Sequence, residues 1–237
     1  MKVVAILPAW NEAASVGAVV RGIDRGLVAA VVVVDGGSTD GTREAASAAG
    51  AEVVVERRPG YGRACQAGVA RAQALGADVV AFLDASSAAD PADLRAVLAP
   101  ILAGNADFVL GSRTGGLADP GALRLLQRAG NRLATTLIHL LYGHAYSDLG
   151  SMRAIHLGCL ADLAMRELTH GWPVEMQVQA VRCGLRIGEV PIHYRRRVAG
   201  RSKVSGSPLG SVRAGVAILR VVLASARPPP PTPRSHG

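Results

Sequence analysis

The chain has 237 residues, 49% of them apolar but only 3% aromatic, so its core must be aliphatic. That shortage of rings argues against a nucleic-acid binder that stacks bases on aromatics. The formal net charge of +8 is lopsided: residues 190–237 hold nine Lys/Arg and no acid, while residues 1–189 set 17 Lys/Arg against 18 Asp/Glu.

In chain order, the aliphatic run 3–7 reads as a buried strand that stops at Pro8. Pro8-Ala9-Trp10-Asn11-Glu12 leads into a helix over about 13–24. A second strand, 31–34, ends in the loop 35–42, and a helix of small residues follows over 42–49. Strand 52–56 and Gly60-Tyr61-Gly62 precede a helix over 63–75, and strand 79–83 closes on Asp84. Asp90 and Pro91 suit the N-cap and first position of another helix. Beyond it come strand 108–111 with Ser112-Arg113, a helical stretch 120–142, a loop 146–153 and a late strand 188–195. A basic loop 195–206, an amphipathic helix 209–226 and a Pro-rich tail from Pro228, expected to be disordered, complete the chain.

Strand and helix alternate through the first 85 residues, which predicts an α/β fold with a mostly parallel, doubly wound sheet and helices on both faces. The expected organisation is one domain over 1–207, a C-terminal amphipathic helix over 208–227 and a tail over 228–237. Ligands of such sheets sit outside the carboxyl ends of the strands. Three of the first four strand ends carry polar, loop-forming sequence, at 8–12, 35–42 and 84–90.

Cys65, Cys159 and Cys183 are odd in number, far apart and without metal-type spacing, as in a reduced, cytoplasmic protein. No signal peptide or membrane span is expected, because the opening apolar run is short and Arg213 and Arg220 interrupt 209–226. The basic end suits phosphates or an anionic membrane surface, and a solvated tail is the plainer alternative. Arg213 and Arg220 share one face of the last helix, with Val212, Val216, Leu219 and Leu223 on another. That pattern fits a peripheral helix on the inner face of a membrane, or one packed on the protein's own core.

Six motifs in order over 3–205 resemble family 2 glycosyltransferases, and among them the dolichyl- or polyprenyl-phosphate hexosyltransferases. They are the stretch from Leu7 to Glu12, the loop from Val34 to Thr42, Gly60-Tyr61-Gly62, Gly111-Ser112-Arg113, the run from Asp148 to Arg153, and Arg201-Ser202-Lys203. The resemblance implies a GT-A fold, a UDP- or GDP-sugar donor, and a polyprenyl phosphate or other small molecule as acceptor of the hexose, with inversion. It places Pro8, Trp10 and Glu12 at the nucleobase and ribose and Asp35 at the base. Carboxylates do accept from such groups and a ring can stack on Trp10. Glu12 also suits the first turn of a helix, and Asp35 suits a turn with Gly36-Gly37; Asp40 reads as turn and cap.

One departure stands out. The family holds a divalent cation with Asp-x-Asp after the fourth strand, whereas here Asp84 is followed by Ser86. A hydroxyl is a poor Mg²⁺ or Mn²⁺ ligand beside a carboxylate, so metal binding at Asp84 is in doubt. The alternative to an active transferase is therefore a nucleotide-sugar-binding relative whose activity is lost or metal-independent. Without a cation the leaving diphosphate still needs positive charge, for which Arg113, Arg153, Arg201 and Lys203, with Ser202 between them, are candidates. Asp148 and Glu175 are the candidates for orienting acceptor or sugar. Trp172 suits a sugar face or the core equally, and the scattered histidines read as structural.

Overall fold

We describe residues 1–123 and 125–195 and the helix 208–224 of a computed structural model. The strands are β1 (Val3–Ala9), β2 (Ala30–Asp35), β3 (Glu52–Val55), β4 (Val79–Phe82), β5 (Phe108–Ser112), β6 (Arg153–His156) and β7 (Ile187–Pro191). They form one sheet in the order β3-β2-β1-β4-β6-β5-β7. β1, β2, β3 and β4 run parallel, and β5 runs parallel to β7. β6 is antiparallel to both its neighbours, β4 and β5.

The helices are α1 (Ala13–Gly22), α2 (Thr42–Ala48), α3 (Tyr61–Ala74), α4 (Leu94–Leu102), α5 (Leu125–Tyr142), α6 (Leu157–Asp162), α7 (Trp172–Arg182) and α8 (Pro208–Ala224). Alternation along each strand divides the core in two. Val3, Ala5 and Leu7 pack with Val16, Val20 and Leu98 on one face, and Val4 and Ile6 pack with Cys65, Phe82 and Trp172 on the other. This is why the inner strands read as unbroken aliphatic runs. Gly68 lets α3 lie close on the sheet, since a Cβ there would stand 2.3 Å from Ile6 Cγ2.

Asp90 caps a 3-10 turn over Pro91–Asp93, as expected, with its side chain accepting from the Ala92 amide. Of the stretch 120–142, residues 120–123 form turn and bend, and the helix runs over Leu125–Tyr142. Arg153, expected at the end of a loop, instead opens β6. α8 packs against α5 and α7 and buries Val221 and Val222, so part of its apolar surface faces the protein. Among the described residues no helix is long and apolar enough to cross a membrane.

Two antiparallel pairings cancel in direction, so β5 and β7 point the same way as β1 to β4. The carboxyl ends of six strands and the amino end of β6 therefore share one edge. Five of the six motifs gather there, and the sixth lies outside the described residues.

Candidate active site

The first two loops at this edge are laced together. The Asn11 amide donates to Ser38 Oγ at 2.8 Å, and Asn11 Oδ1 accepts from the Thr39 amide at 2.9 Å. The Glu12 amide donates to Thr42 Oγ1 at 2.9 Å and the Ala13 amide to Asp40 at 3.2 Å. Asn11 adopts φ 50°, a left-handed backbone that asparagine tolerates better than most residues. Asp35 lies fully buried in its own turn, accepting from the Gly37 and Ser38 amides, with Arg43 Nε at 3.6 Å. Asp40 makes the expected turn, accepting from the Thr42 amide and hydroxyl. Pro8 ends β1 beside this rim, Glu12 accepts from the Ser15 hydroxyl at 3.0 Å, and Trp10 stays 51% exposed.

Gly60 and Gly62 are explained by a close approach of backbone. A Cβ on either would stand 2.3 or 2.4 Å from the carbonyl oxygen of Leu168 or Glu167. The Glu175 carboxylate holds that same segment, accepting from the Arg166 and Glu167 amides. Glu175 is therefore engaged with backbone. Trp172 is a core residue, packed edge-on to Phe82 with ring centroids 4.9 Å apart.

At the end of β4, Asp84 is half-buried and accepts from the Ser151 hydroxyl at 2.6 Å. Ser86 is buried, and its Oγ has no hydrogen-bond partner. No group of three or more His, Cys, Asp or Glu among the described residues is placed to hold a metal ion. At the end of β4 the residues present offer one carboxylate, Asp84, and the neutral hydroxyl of Ser86. Asp84 is the one carboxylate that could touch an ion carried in on a diphosphate.

Arg113 and Asp148, 35 residues apart, meet directly. Arg113 donates to Asp148 through its amide, Nε and Nη2, each at 2.8 Å, and the Leu149 amide adds a fourth bond at 2.8 Å. Burial works against the guanidinium charge, but Asp148 outweighs it and holds the Arg113 pKa above the usual arginine value. Tyr194 adds its ring, 5.3 Å from the guanidinium carbon. Three residues that sequence reasoning missed fix this loop: Asn131 accepts from the Leu149 amide, Gln177 donates to the Asp148 carbonyl, and Glu189 accepts from the Ser147 amide. Nothing in their spacing signals it, because each comes from a different element.

Arg153 is buried, not presented to solvent. Its guanidinium donates to the carbonyls of Pro173 and Gly150, so it ties the loop before β6 to the start of α7. Burial pulls its pKa below the usual value, opposed by nearby Tyr61, Cys65 and Asp84. Arg201, Ser202 and Lys203 lie outside the described residues, but the chain leading to them is anchored at this edge. The Arg195 amide donates to Ala88 O at 2.7 Å, its guanidinium meets Asp90 at 3.0 Å, and His193 Nδ1 lies 2.9 Å from Asp93. A cavity of about 710 Å³ lies instead at the opposite edge, between Met1, Asp78 and Cys159. Its lining brings together none of the six motifs.

Residues 4–163 match the protein family described as Glycosyl transferase family 2. An uncharacterised glycosyltransferase of Mycobacterium bovis is 36% identical over 222 residues, covering 93% of this chain and 97% of the relative. A dolichyl-phosphate hexose transferase of Haloferax volcanii is 33% identical, covering 92% of each chain. Glucosyl-3-phosphoglycerate synthase of Mycobacterium tuberculosis, solved with Mn²⁺, UDP-glucose and phosphoglyceric acid, superposes with a TM-score of 0.74 at 26% identity, covering 95% of this chain and 79% of that one. With its GT-A fold and its strand-end motifs, the chain is a glycosyltransferase belonging to family 2.

Proposed function

We propose that the enzyme transfers a hexose, with inversion, from a UDP- or GDP-sugar to a polyprenyl phosphate, working in the cytoplasm at the inner face of a membrane. The base and ribose lie along the rim of Pro8, Trp10, Glu12 and Asp35. The diphosphate lies toward Asp84 and Arg113, and Arg201, Ser202 and Lys203 are the residues assigned to phosphate or acceptor. An acceptor oxygen attacks the anomeric carbon as its bond to the diphosphate breaks. The charge that develops on the leaving group is met by fixed positive charge.

One observation favours a phosphate acceptor over a hydroxyl. A hydroxyl needs a general base, whereas a phosphate monoester is already ionised near neutral pH. The two carboxylates that the sequence offers for orienting acceptor or sugar are both engaged, so neither stands free as a base. Asp148 is bound by Arg113 and the Leu149 amide, and Glu175 by the Arg166 and Glu167 amides. The dolichyl-phosphate relative supports the same acceptor class. A second reading, transfer to a small soluble acceptor, is favoured by the phosphoglycerate-bound neighbour.

Labelled UDP- and GDP-hexoses should be offered with a short polyprenyl phosphate, with phosphoglycerate and with the matching polyprenol. Product only with the polyprenyl phosphate supports the proposal. Transfer to phosphoglycerate or to the free alcohol alone refutes it.

A further inference from the structure

The chain that leaves β7 runs on beside the end of β5. The Ile192 amide donates to the Ser112 carbonyl at 3.0 Å, and the buried Ile192 side chain lies over Gly111. A Cβ on Gly111 would stand 2.8 Å from Ile192 Cγ2, so the glycine is what lets this segment come close. Two residues on, the Tyr194 ring meets Arg113, with the guanidinium carbon 5.3 Å from the ring centroid. The Tyr194 backbone joins two loops. It bridges Ala89 on one side and Ala118 on the other. The Asp90 amide donates to the His193 carbonyl at 3.2 Å, and the Asp119 amide to the Tyr194 carbonyl at 2.8 Å. Tyr194 thus touches the loop that begins at Asp84, the loop that begins at Arg113 and the Arg113 side chain. Its ring is half-buried and packs in neither half of the core.

Asp148 takes Nε and Nη2 of Arg113, and Nη1 has no hydrogen-bond partner among the described residues. Two parallel hydrogen bonds fix one edge of a guanidinium but act as an axis about which its plane can tilt. A ring on the face of the plane limits that tilt and favours the charge. We infer that Tyr194 is a positioning residue for the transfer. Its ring holds the plane of Arg113 so that Nη1 is kept for the donor's β-phosphate, on which the leaving charge develops. The backbone bridge from Tyr194 to Ala89 keeps that edge in register with the loop after Asp84. A fixed cation stabilises a developing anion better than one that must first be ordered. The inference rests on the placement of the diphosphate toward Asp84 and Arg113 proposed above.

The test is calorimetric titration of the full chain with UDP and UMP, and with GDP and GMP. Tyr194→Leu should weaken the diphosphate by roughly three- to tenfold, the scale of one cation–π contact, and leave the matching monophosphate unchanged. Tyr194→Phe keeps the ring and should bind as wild type. Arg113→Gln should weaken the diphosphate, and Tyr194→Leu added to it should cost nothing further, because the ring acts only through the guanidinium. The ring lies outside the core, so Tyr194→Leu should keep the wild-type circular dichroism; Tyr194→Gln serves if it does not. Wild type that binds neither diphosphate, or Arg113→Gln that binds as wild type, overturns the placement of the diphosphate and the inference with it. Weakening by Arg113→Gln beside wild-type binding by Tyr194→Leu overturns the inference alone. Equal losses of mono- and diphosphate in Tyr194→Leu, or a loss that Tyr194→Phe shares, overturn it too.

Discussion

Arg113 and Asp148 form a bidentate ion pair whose carboxylate is fully buried, with two side-chain contacts of 2.8 Å reinforced by the Arg113 and Leu149 amides. The pair ties the end of β5 to the loop before β6. Removing one partner of a buried pair leaves an uncompensated charge and typically costs about 3–5 kcal/mol. Asp148→Ala and Arg113→Ala should therefore each lower stability on that scale in urea denaturation. The double variant Arg113→Met/Asp148→Leu should regain part of the stability and none of the transferase activity. Equal activity in the double variant would show that the pair serves architecture alone.

The glycine pair before α3 gives a second expectation. A Cβ on Gly62 would stand 2.4 Å from the Glu167 carbonyl, and neither backbone can yield without moving the other. Overpacking of this kind costs about 1–3 kcal/mol. At about 2–4 °C per kcal/mol for a chain of this size, Gly62→Ala should lower Tm by several degrees. Gly76→Ala is a contrasting control. Its φ is 70°, but no atom lies within 4 Å of the added methyl, so its cost is backbone strain alone. A scanning-calorimetry trace unchanged by Gly62→Ala would contradict the close approach.

Thiol chemistry separates the three cysteines. Cys65 is fully buried, and burial pushes its thiol well above the ordinary range. Cys159 is partly buried and raised by the same cause, while Cys183 is exposed. The thiolate is the nucleophile, so reaction follows its exposure and population. Iodoacetamide on the native protein should modify Cys183 first, Cys159 more slowly and Cys65 only after unfolding. Peptide mass spectrometry over time reads the order directly.

What was legible in the chain follows from local signals. The inner strands announce themselves because both faces are buried and the runs are unbroken, as in residues 31–34. The convergence of the motifs followed from the sheet's sense of winding. β6 was missed because four residues beginning with an arginine resemble no core strand, yet Arg153 is buried where two backbone carbonyls accept its protons. Asp148 and Arg113 were each singled out, but no periodicity joins residues 35 apart in sequence. Asp35 carried two readings, and the structure shows its turn role, with the Gly37 and Ser38 amides donating to its buried carboxylate.

The final expectation concerns the cation. Ser86 stands where a second acid would, buried and with its hydroxyl unpartnered, while Asp84 already accepts from Ser151. One carboxylate and a neutral hydroxyl make a weak set for a hard cation. Wild-type turnover should therefore fall only slightly when EDTA is added. In Ser86→Asp the new carboxylate is placed in a buried position without a partner, which costs stability unless an ion joins it. That variant should unfold earlier than wild type in EDTA and recover more than wild type when Mn²⁺ is added, since a ligand stabilises only the state that binds it. Ser86→Asn, similar in size but uncharged, should show no such recovery. The thermal shift separates metal binding from catalysis. Complete loss of wild-type activity in EDTA would mean that Asp84 and the substrate's phosphates suffice to hold an essential ion.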